Sequence, residues 1–210
     1  MDYAVKYPRT MHLDFSPGLQ NDDRVMSDNR LIGREVVVTE KMDGENTTMY
    51  CDHIHARSID GRHHPSRDWV KGFWGQVRHN IPLYTRVCGE NMYAQHSIVY
   101  HDLESYFYGF GIWDNNVLLG WDPTVTLFQE WGITPVPVLW RGTYSDSKMK
   151  EVAEGLDLER QEGFVVRAVD SVNYIDFPTF VGKWVRSGHV QTDVHWMHAE
   201  LKVNKLQEKA

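Results

Sequence analysis

Lys41 lies at the end of an apolar, β-branched run and is followed closely by an Asp43-Gly44 pair. A strand end holds a side chain rigidly, and burial lowers a lysine pKa by disfavouring the charged form. A neutral amine is a nucleophile, and glycine lets the backbone approach a ligand closely. The pattern is compatible with a reactive lysine and with an ordinary surface lysine beside an Asp-Gly turn, and taken alone it favours the ordinary one.

Four later blocks could supply the partners that a reactive lysine needs. Glu90 stands at a strand end, residues 106–113 form an aromatic strand, Glu162 precedes another strand, and Lys183 lies in a late strand. Nucleotidyl transfer depends on positioning and on neutralising phosphate oxygens, for which cations and an oxygen-bound metal serve. Each block alone is typical of a core or surface strand, so any functional signal lies in the whole set and in its order.

In type and order these blocks resemble the covalent nucleotidyltransferases, a superfamily of RNA ligases, DNA ligases and capping enzymes. The resemblance covers residues 40–186 and is closest to the phage-type, nick-sealing RNA ligases. It implies one α+β nucleotidyltransferase (adenylation) domain over residues 1–210, mainly antiparallel sheets with a few flanking helices. It also implies ATP as the AMP donor, Mg²⁺ or Mn²⁺ as the metal, and RNA ends carrying a 5′-phosphate and a 3′-hydroxyl as substrates.

The resemblance assigns roles to eight residues. Lys41 would attack the α-phosphorus of ATP and carry the AMP. Glu40 would accept a hydrogen bond from the adenine edge, Phe110 would stack on the adenine, and Glu90 would bind the ribose hydroxyls. Asn46 and Arg57 would lie near the ribose and near the α-phosphate or the RNA end. Glu162 would organise the metal, and Lys183 would neutralise the α-phosphate. Phe107 or Tyr108 could replace Phe110 in its role, and Arg62 could replace Arg57.

Two departures from the family pattern concern the C-terminal part of the sequence. Many relatives carry a second lysine two residues after the one matched by Lys183, where this chain has Val185. Arg186 would point to the opposite face of an alternating strand. Only 27 residues follow Lys183, too few for an oligonucleotide-binding (OB) barrel. We therefore expect a bare nucleotidyltransferase domain, with a separate protein or domain, or the basic segment 53–79, helping to hold RNA ends.

Composition bounds the alternatives. The formal charge of −7 argues against non-specific coating of nucleic acid, although segment 53–79 has five Lys or Arg and two acids and could be either a solvated surface or a phosphate-binding face. No apolar run is long enough for a membrane span, no signal peptide is visible, and two cysteines suit a reducing compartment. We expect a cytoplasmic protein (in the host cytoplasm if phage-encoded) with no membrane partner. The rival functions are a DNA ligase or capping enzyme, and a non-catalytic nucleotide- or nucleic-acid-binding module.

Strands must position these residues. The patterns predict strands over residues 35–40, 46–50, 86–90, 106–113, 134–140, 163–168 and 180–186. The segment 43–45 is predicted to be the turn of a hairpin joining the first two. Helices are predicted from Ser66, as the cap, through Val77, from Asp122 to Gly132, from Ser145 to Gly155, and over residues 192–208.

Overall fold

The computed structural model describes residues 4–20, 23–59, 63–188 and 201–208, and within them it confirms the predicted α+β class. The strands are β1 (Met11–His12), β2 (Glu35–Glu40), β3 (Glu45–Met49), β4 (Ile54–Ala56), β5 (Thr85–Asn91), β6 (Phe107–Asp114), β7 (Val117–Leu118), β8 (Thr134–Pro135), β9 (Val138–Thr143), β10 (Gly163–Ala168), β11 (Val172–Asn173) and β12 (Val181–Val185). The helices are α1 (Asp68–Val77), α2 (Trp121–Trp131), α3 (Asp146–Glu154) and α4 (Phe177–Phe180). No helix in the described ranges is long and apolar enough to cross a membrane.

The strands form two sheets that face each other. The first sheet has the order β1-β12-β10-β2-β9 and the second the order β11-β7-β6-β5-β3-β4, with β8 added beside β6. Pairing is antiparallel except for β1 with β12 and β8 with β6. Val38 and Phe164 of the first sheet share one buried apolar cluster with Trp113 and Leu118 of the second. Burial of these side chains against each other holds the sheets together.

The predicted hairpin around residues 43–45 is wrong. β2 pairs with β9 and β10 in the first sheet, whereas β3 pairs with β4 and β5 in the second. The chain therefore crosses from one sheet to the other between Glu40 and Glu45. Gly44 is needed here for closeness rather than for a turn, because a Cβ at this position would lie 2.5 Å from the Asn91 carbonyl oxygen.

The predicted strand over residues 134–140 is split in two. β8 pairs in parallel with β6, and β9 pairs with β2 in the opposite sheet. Pro135 and Pro137 have no N–H to donate, so this stretch cannot form one continuous ladder. The Val136 N–H between them donates to the Gly109 carbonyl instead.

Four of the six boundaries predicted for the first three helices, at Val77, Gly132, Ser145 and Gly155, are confirmed; α2 begins one residue earlier than predicted, and the predicted cap of α1 is wrong. Ser145 caps α3 by accepting a hydrogen bond from the Lys148 amide, and Gly132 ends α2 in the left-handed conformation at φ 71°. Ser66 does not cap α1. It lies in a 3₁₀ turn, Pro65–Arg67, where the His64 ring accepts from the Ser66 amide, and α1 begins at Asp68.

The predicted C-terminal helix is wrong wherever the structure describes it. Residues 201–208 are extended and form isolated bridges to the loop between β5 and β6, at Ala94 with Val203 and at Leu103 with Leu206. Residues 192–200 of that prediction lie outside the described residues.

Candidate nucleotide site

A cavity of about 420 Å³ opens between the two sheets where the chain crosses from one to the other. The sequence-predicted residues that line it are Glu40, Lys41, Asn46, Arg57, Glu90, Phe110 and Lys183. Glu162, the eighth, lies behind the wall and touches the cavity through Lys41. The structure thus brings all eight residues to one place, although they come from both sheets.

Strand register explains this convergence. Val165 of β10 lies opposite Thr39 of β2 on one side and Lys183 of β12 on the other, so these three side chains share the face of the first sheet that borders the cavity. On the second sheet, Asn46 of β3 lies opposite Glu90 of β5, and both face the cavity from the other side.

Lys41 and Glu162 are in direct contact. Lys41 Nζ lies 2.5 Å from Glu162 Oε1, and the two side chains are 24% and 0% exposed. The next residue, Gly163, tolerates no side chain, because a Cβ would collide with the Trp184 carbonyl oxygen on β12. The Glu-Gly pair therefore places a carboxylate under the lysine while letting two strands approach closely.

The carboxylates around Lys41 decide its charge state. Burial alone lowers the pKa of Lys41, but Glu162 and Glu90 outweigh burial and raise the pKa above its ordinary value. In the site without ligand, the neighbouring carboxylates therefore reverse the direction in which burial alone would shift the pKa of Lys41. Glu90 is affected in turn: burial raises its pKa to about 8, with Glu162 and Asp43 adding to the rise and Lys41 opposing it.

Lys183 is a second cation on the cavity wall. Burial, and then repulsion from Lys41, lower its pKa to about 8, while Asp23 and Glu162 oppose the fall. Beside it, His12 is fully buried, and burial followed by the Lys183 charge lowers the pKa of His12 to about 4. His12 Nε2 lies 3.3 Å from an Asp23 carboxylate oxygen, so the buried ring is in contact with this acid.

Phe110 is the aromatic of its strand that borders the cavity. Phe107 is fully buried and packs against Phe73 of α1, with ring centroids 5.7 Å apart. The Tyr108 hydroxyl accepts a hydrogen bond from the Glu104 amide and faces a second cavity. The Phe110 ring packs against the Tyr7 ring in a T-shaped arrangement, with centroids 5.0 Å apart.

The remaining predicted residues differ in their hydrogen-bond partners and in their exposure to solvent. Glu40 accepts a hydrogen bond from Gln161 Nε2 at 2.9 Å and borders both cavities. Arg57 is exposed at the cavity mouth, and its alternative, Arg62, lies outside the described residues. Arg186 donates to the Leu158 carbonyl and does not line the cavity, so it does not replace the second lysine of relatives.

Some charged side chains of the basic segment 53–79 are paired with carboxylates, and others are exposed to solvent. Arg67 is engaged by Glu45 in a forked contact through Nε and Nη2, with both side chains nearly buried. His63 pairs with Asp68, whereas Lys71 is exposed on α1. Part of this segment therefore stabilises the fold instead of presenting charge to solvent.

The sequence patterns missed several residues on the cavity wall. Tyr7, Arg9 and Asp23 come from the N-terminal segment, which carries no motif. Arg167 is 4% exposed on β10, and burial lowers its pKa to about 10. A lone cation inside an apolar strand was the available signal for Arg167; nothing in the sequence marked the others.

The cavity offers oxygen ligands, and their number limits the kind of metal that fits. Among the described residues no three His, Cys, Asp or Glu side chains converge as a ligand set. Glu162 and Glu90 are nevertheless close enough to raise the pKa of Glu90 through repulsion. Mg²⁺ and Mn²⁺ accept oxygen ligands, and Mg²⁺ keeps several waters, so one carboxylate together with substrate phosphates is a sufficient set.

Sequence comparison identifies the family. Residues 34–185 match the RNA ligase family, which is well over half of the chain. The chain belongs to the RNA ligase family. The match begins just before β2 and ends with β12, so every strand that carries one of the eight predicted site residues lies inside it.

Solved structures show the same fold at low sequence identity. An archaeal ATP-dependent RNA ligase aligns with TM-score 0.58 and 15% identity, over 87% of this chain and 48% of that one. A mutant Naegleria gruberi RNA ligase with ATP and Mn aligns at 0.53 and 20%, over 74% and 51%. A putative ATP-dependent DNA ligase from Aquifex aeolicus aligns at 0.54 and 18%, over 87% and 50%. The chain thus spans about half the length of these proteins, and no curated protein matches its sequence.

Proposed function

We propose that this protein is an ATP-dependent RNA ligase that works through a covalent lysyl-AMP at Lys41. The observation that carries the proposal is the contact between Lys41 and Glu162 at a cavity bordered by an aromatic ring and a second lysine, within the RNA ligase family. Solved structures of similar fold contain ATP or AMP with Mn. Soluble nucleotide and an RNA end are the substrates that this combination suits.

The proposed reaction has three balanced steps. Lys41 Nζ attacks the α-phosphorus of ATP, a P–N bond forms, the bond to the β-phosphate oxygen breaks, and pyrophosphate leaves as the amine gives up a proton. A 5′-phosphate oxygen then attacks the same phosphorus, a P–O bond forms, the P–N bond breaks, and the lysine nitrogen takes up a proton as the AMP passes to the RNA end. A 3′-hydroxyl finally attacks the 5′-phosphorus, the new phosphodiester forms, and AMP leaves.

The cavity residues divide these tasks according to their positions. Phe110 on one sheet and Val165 on the other present apolar surfaces to a base between them. Aromatic stacking of a base contributes about 1–3 kcal/mol. Glu90 and Asn46, side by side across β5 and β3, suit the ribose hydroxyls, and Lys183 suits the α-phosphate. Glu40 keeps an acceptor oxygen near the base edge while Gln161 restrains its carboxylate.

Glu162 is the carboxylate that would hold the divalent metal through the water shell of the metal, since its own side chain lies behind the cavity wall. When bound, Mg²⁺ or Mn²⁺ supplies positive charge beside the non-bridging phosphate oxygens. Glu162 also holds the Lys41 amine in line with the cavity, since the two groups touch. Glu162 would thereby position both the nucleophilic amine and the metal that compensates the phosphate charge.

Arg57 is better placed for the RNA end than for ATP. Its side chain is exposed and follows the edge strand β4, whereas Lys183 is half-buried deeper in the cavity. The two cations are close enough that Arg57 lowers the pKa of Lys183 slightly, after larger effects from burial and Lys41. An exposed guanidinium beside a buried ammonium suits a second phosphate arriving from solvent.

The deciding experiment is intact-mass spectrometry of nucleotide-free protein incubated with ATP and Mg²⁺. We expect a gain of one AMP per chain, lost in Lys41→Ala and kept in Lys71→Ala, which removes an exposed lysine on α1. A gain in Lys41→Ala, or no gain in folded wild-type protein with either ATP or GTP, would refute the proposal. Nicked duplexes with RNA or DNA at each side of the join then separate an RNA ligase from a DNA ligase.

A further inference from the structure

The extended C-terminal segment 202–207 is hydrogen-bonded to both ends of the loop that joins β5 to β6. Near the start of the loop, the Gln95 amide donates to the Lys202 carbonyl and Gln95 Nε2 to the Val203 carbonyl. Near its end, the Leu103 amide donates to the Lys205 carbonyl and the Gln207 amide to the Leu103 carbonyl. This segment, here called the C-terminal strap, therefore fixes a long loop that has no ladder of its own.

Asn204 is the centre of the strap. It is 1% exposed, and its Nδ2 donates to the carbonyls of Met92 and Ala94, at 2.8 and 3.2 Å. Its Oδ1 accepts from the Tyr100 amide at 2.9 Å. Its backbone N–H and carbonyl also have partners, the Tyr93 carbonyl and the Tyr106 hydroxyl. A buried side chain satisfied at every polar atom specifies one geometry, because any other arrangement leaves buried groups unpaired.

The loop that the strap holds grips the segment after Lys41. One carboxylate oxygen of Asp43 accepts from the Ser97 amide, the Ser97 hydroxyl and the Ile98 amide, at 2.7 to 2.8 Å. The Asp43 amide in turn donates to the Tyr100 hydroxyl at 3.2 Å. Tyr100 thus joins the two halves of this path, since its backbone amide binds Asn204 and its hydroxyl binds Asp43.

We infer that Asn204 is a positioning residue for Lys41, acting through the loop and Asp43. Lys41 is tied on one side to the first sheet, where its amide donates to the Gly163 carbonyl. On the other side its chain is fixed by Asp43, two residues on. The strap therefore holds the second of the two contacts that keep the Lys41 amine directed into the cavity. This inference rests on the proposed function, in which that amine is the nucleophile.

The test measures loop order and chemistry separately in Asn204→Ala and in a matched control, Lys205→Ala, which removes an exposed strap side chain. Amide hydrogen exchange needs no ligase activity. We expect faster exchange at Ser97 and Ile98 in Asn204→Ala, with exchange in β2 and β10 unchanged. We also expect single-turnover lysyl-AMP formation at saturating ATP to slow by about tenfold or more, with ATP affinity unchanged, since small misplacements of reacting groups are costly.

A double-substitution cycle with Asp43→Asn distinguishes positioning from general stability. If the strap acts through Asp43, the Asn204→Ala/Asp43→Asn protein forms lysyl-AMP no more slowly than the slower single variant. Additive losses, an unchanged rate in Asn204→Ala, or faster exchange throughout both sheets would overturn the inference. If Asn204→Ala does not fold, Gln95→Ala removes one strap hydrogen bond from a half-buried position and is judged by the same measurements.

Absence of an AMP adduct in the wild-type protein has a different meaning. That result counts against the proposed function and leaves the exchange data to judge the strap. Unchanged exchange at Ser97 and Ile98 in Asn204→Ala would then refute the part of the inference in which the strap orders the loop.

Discussion

The Lys41 amide donates to the Gly163 carbonyl, and the Lys41 ammonium contacts the carboxylate of the preceding residue, Glu162. The two blocks that the sequence places 121 residues apart are therefore adjacent in the first sheet through both backbone and side chain. The side-chain part of this relationship is a nearly buried ion pair, and its energetics can be measured without any substrate.

Lys41→Met should destabilise the fold because it leaves the buried Glu162 carboxylate without the Lys41 cation. We expect the free energy of unfolding to fall by about 3 kcal/mol, and Lys41→Met/Glu162→Gln to recover much of that loss. Urea unfolding at neutral pH with a chelator present measures both. Lys148→Met, which breaks the more exposed pair with Glu151, should cost less than about 1 kcal/mol. Equal stability of Lys41→Met and wild type would contradict this account.

Phe110→Leu should weaken nucleotide binding with little effect on the fold. Loss of one stacking surface costs about 1–3 kcal/mol, so the AMP dissociation constant should rise between about fivefold and a hundredfold. Isothermal titration calorimetry measures the change. Phe107→Leu is the control: it lies in the core under α1 and should lower the melting temperature while leaving AMP affinity intact. If the two variants exchange these phenotypes, Phe107 is the base-stacking residue.

AMP affinity should fall as pH rises above about 8. In the free protein burial and Lys41 lower the pKa of Lys183 to about 8, so above that pH Lys183 loses the charge that would attract the α-phosphate. The phosphate itself stays doubly charged above pH 7, since its second pKa is about 6. Calorimetry from pH 7 to 9.5 should show the decline in wild type. Lys183→Arg stays charged throughout, so its affinity should fall less steeply there, and the remaining fall would come from Glu90, whose pKa is also about 8. A decline as steep as that of the wild type would remove Lys183 as the cause.

Arg57→Ala should separate the first step from the second. The exposed position of Arg57 at the cavity mouth predicts that lysyl-AMP still forms at close to the wild-type rate. Transfer of AMP to a 5′-phosphate end should fall about 10- to 100-fold, as expected for loss of a charge-assisted hydrogen bond. A single-turnover transfer assay with preformed lysyl-AMP measures this, and Lys71→Ala serves as the matched change of charge. Loss of the adduct itself would move Arg57 to the ATP α-phosphate.

The eight residues could be named from the sequence because blocks of this type, in this order, resemble the covalent nucleotidyltransferases, and the structure brings all eight to one cavity. The path between Glu40 and Glu45 could not, because an Asp-Gly pair suits a tight turn as well as a crossing between sheets. The same holds for residues 201–208, the end of the helix predicted over residues 192–208. Their extended form is decided by distant carbonyls that bind Asn204, and no local pattern reports those.

The charge state of Lys41 is a further feature that the sequence alone could not predict. Burial, which can be guessed from an apolar strand, points to a lowered pKa. The pKa is raised instead because Glu162 and Glu90 come close to Lys41, and that closeness follows from the packing of the two sheets. Arg167 and the N-terminal Tyr7 are on the cavity wall for the same reason, since tertiary contacts alone bring them there.

The crossing between Glu40 and Glu45 has a mechanical consequence. Residues 41–44 belong to both walls of the cleft, because Lys41 is bonded to the first sheet and Gly44 packs against the second. A rotation that opened the cleft about these residues would move the far rims most and the pivot least. In the proposed intermediate, the AMP on Lys41 would lie close to the axis of such a rotation. It would therefore move little while the rims of the cleft separate to admit a strand of RNA.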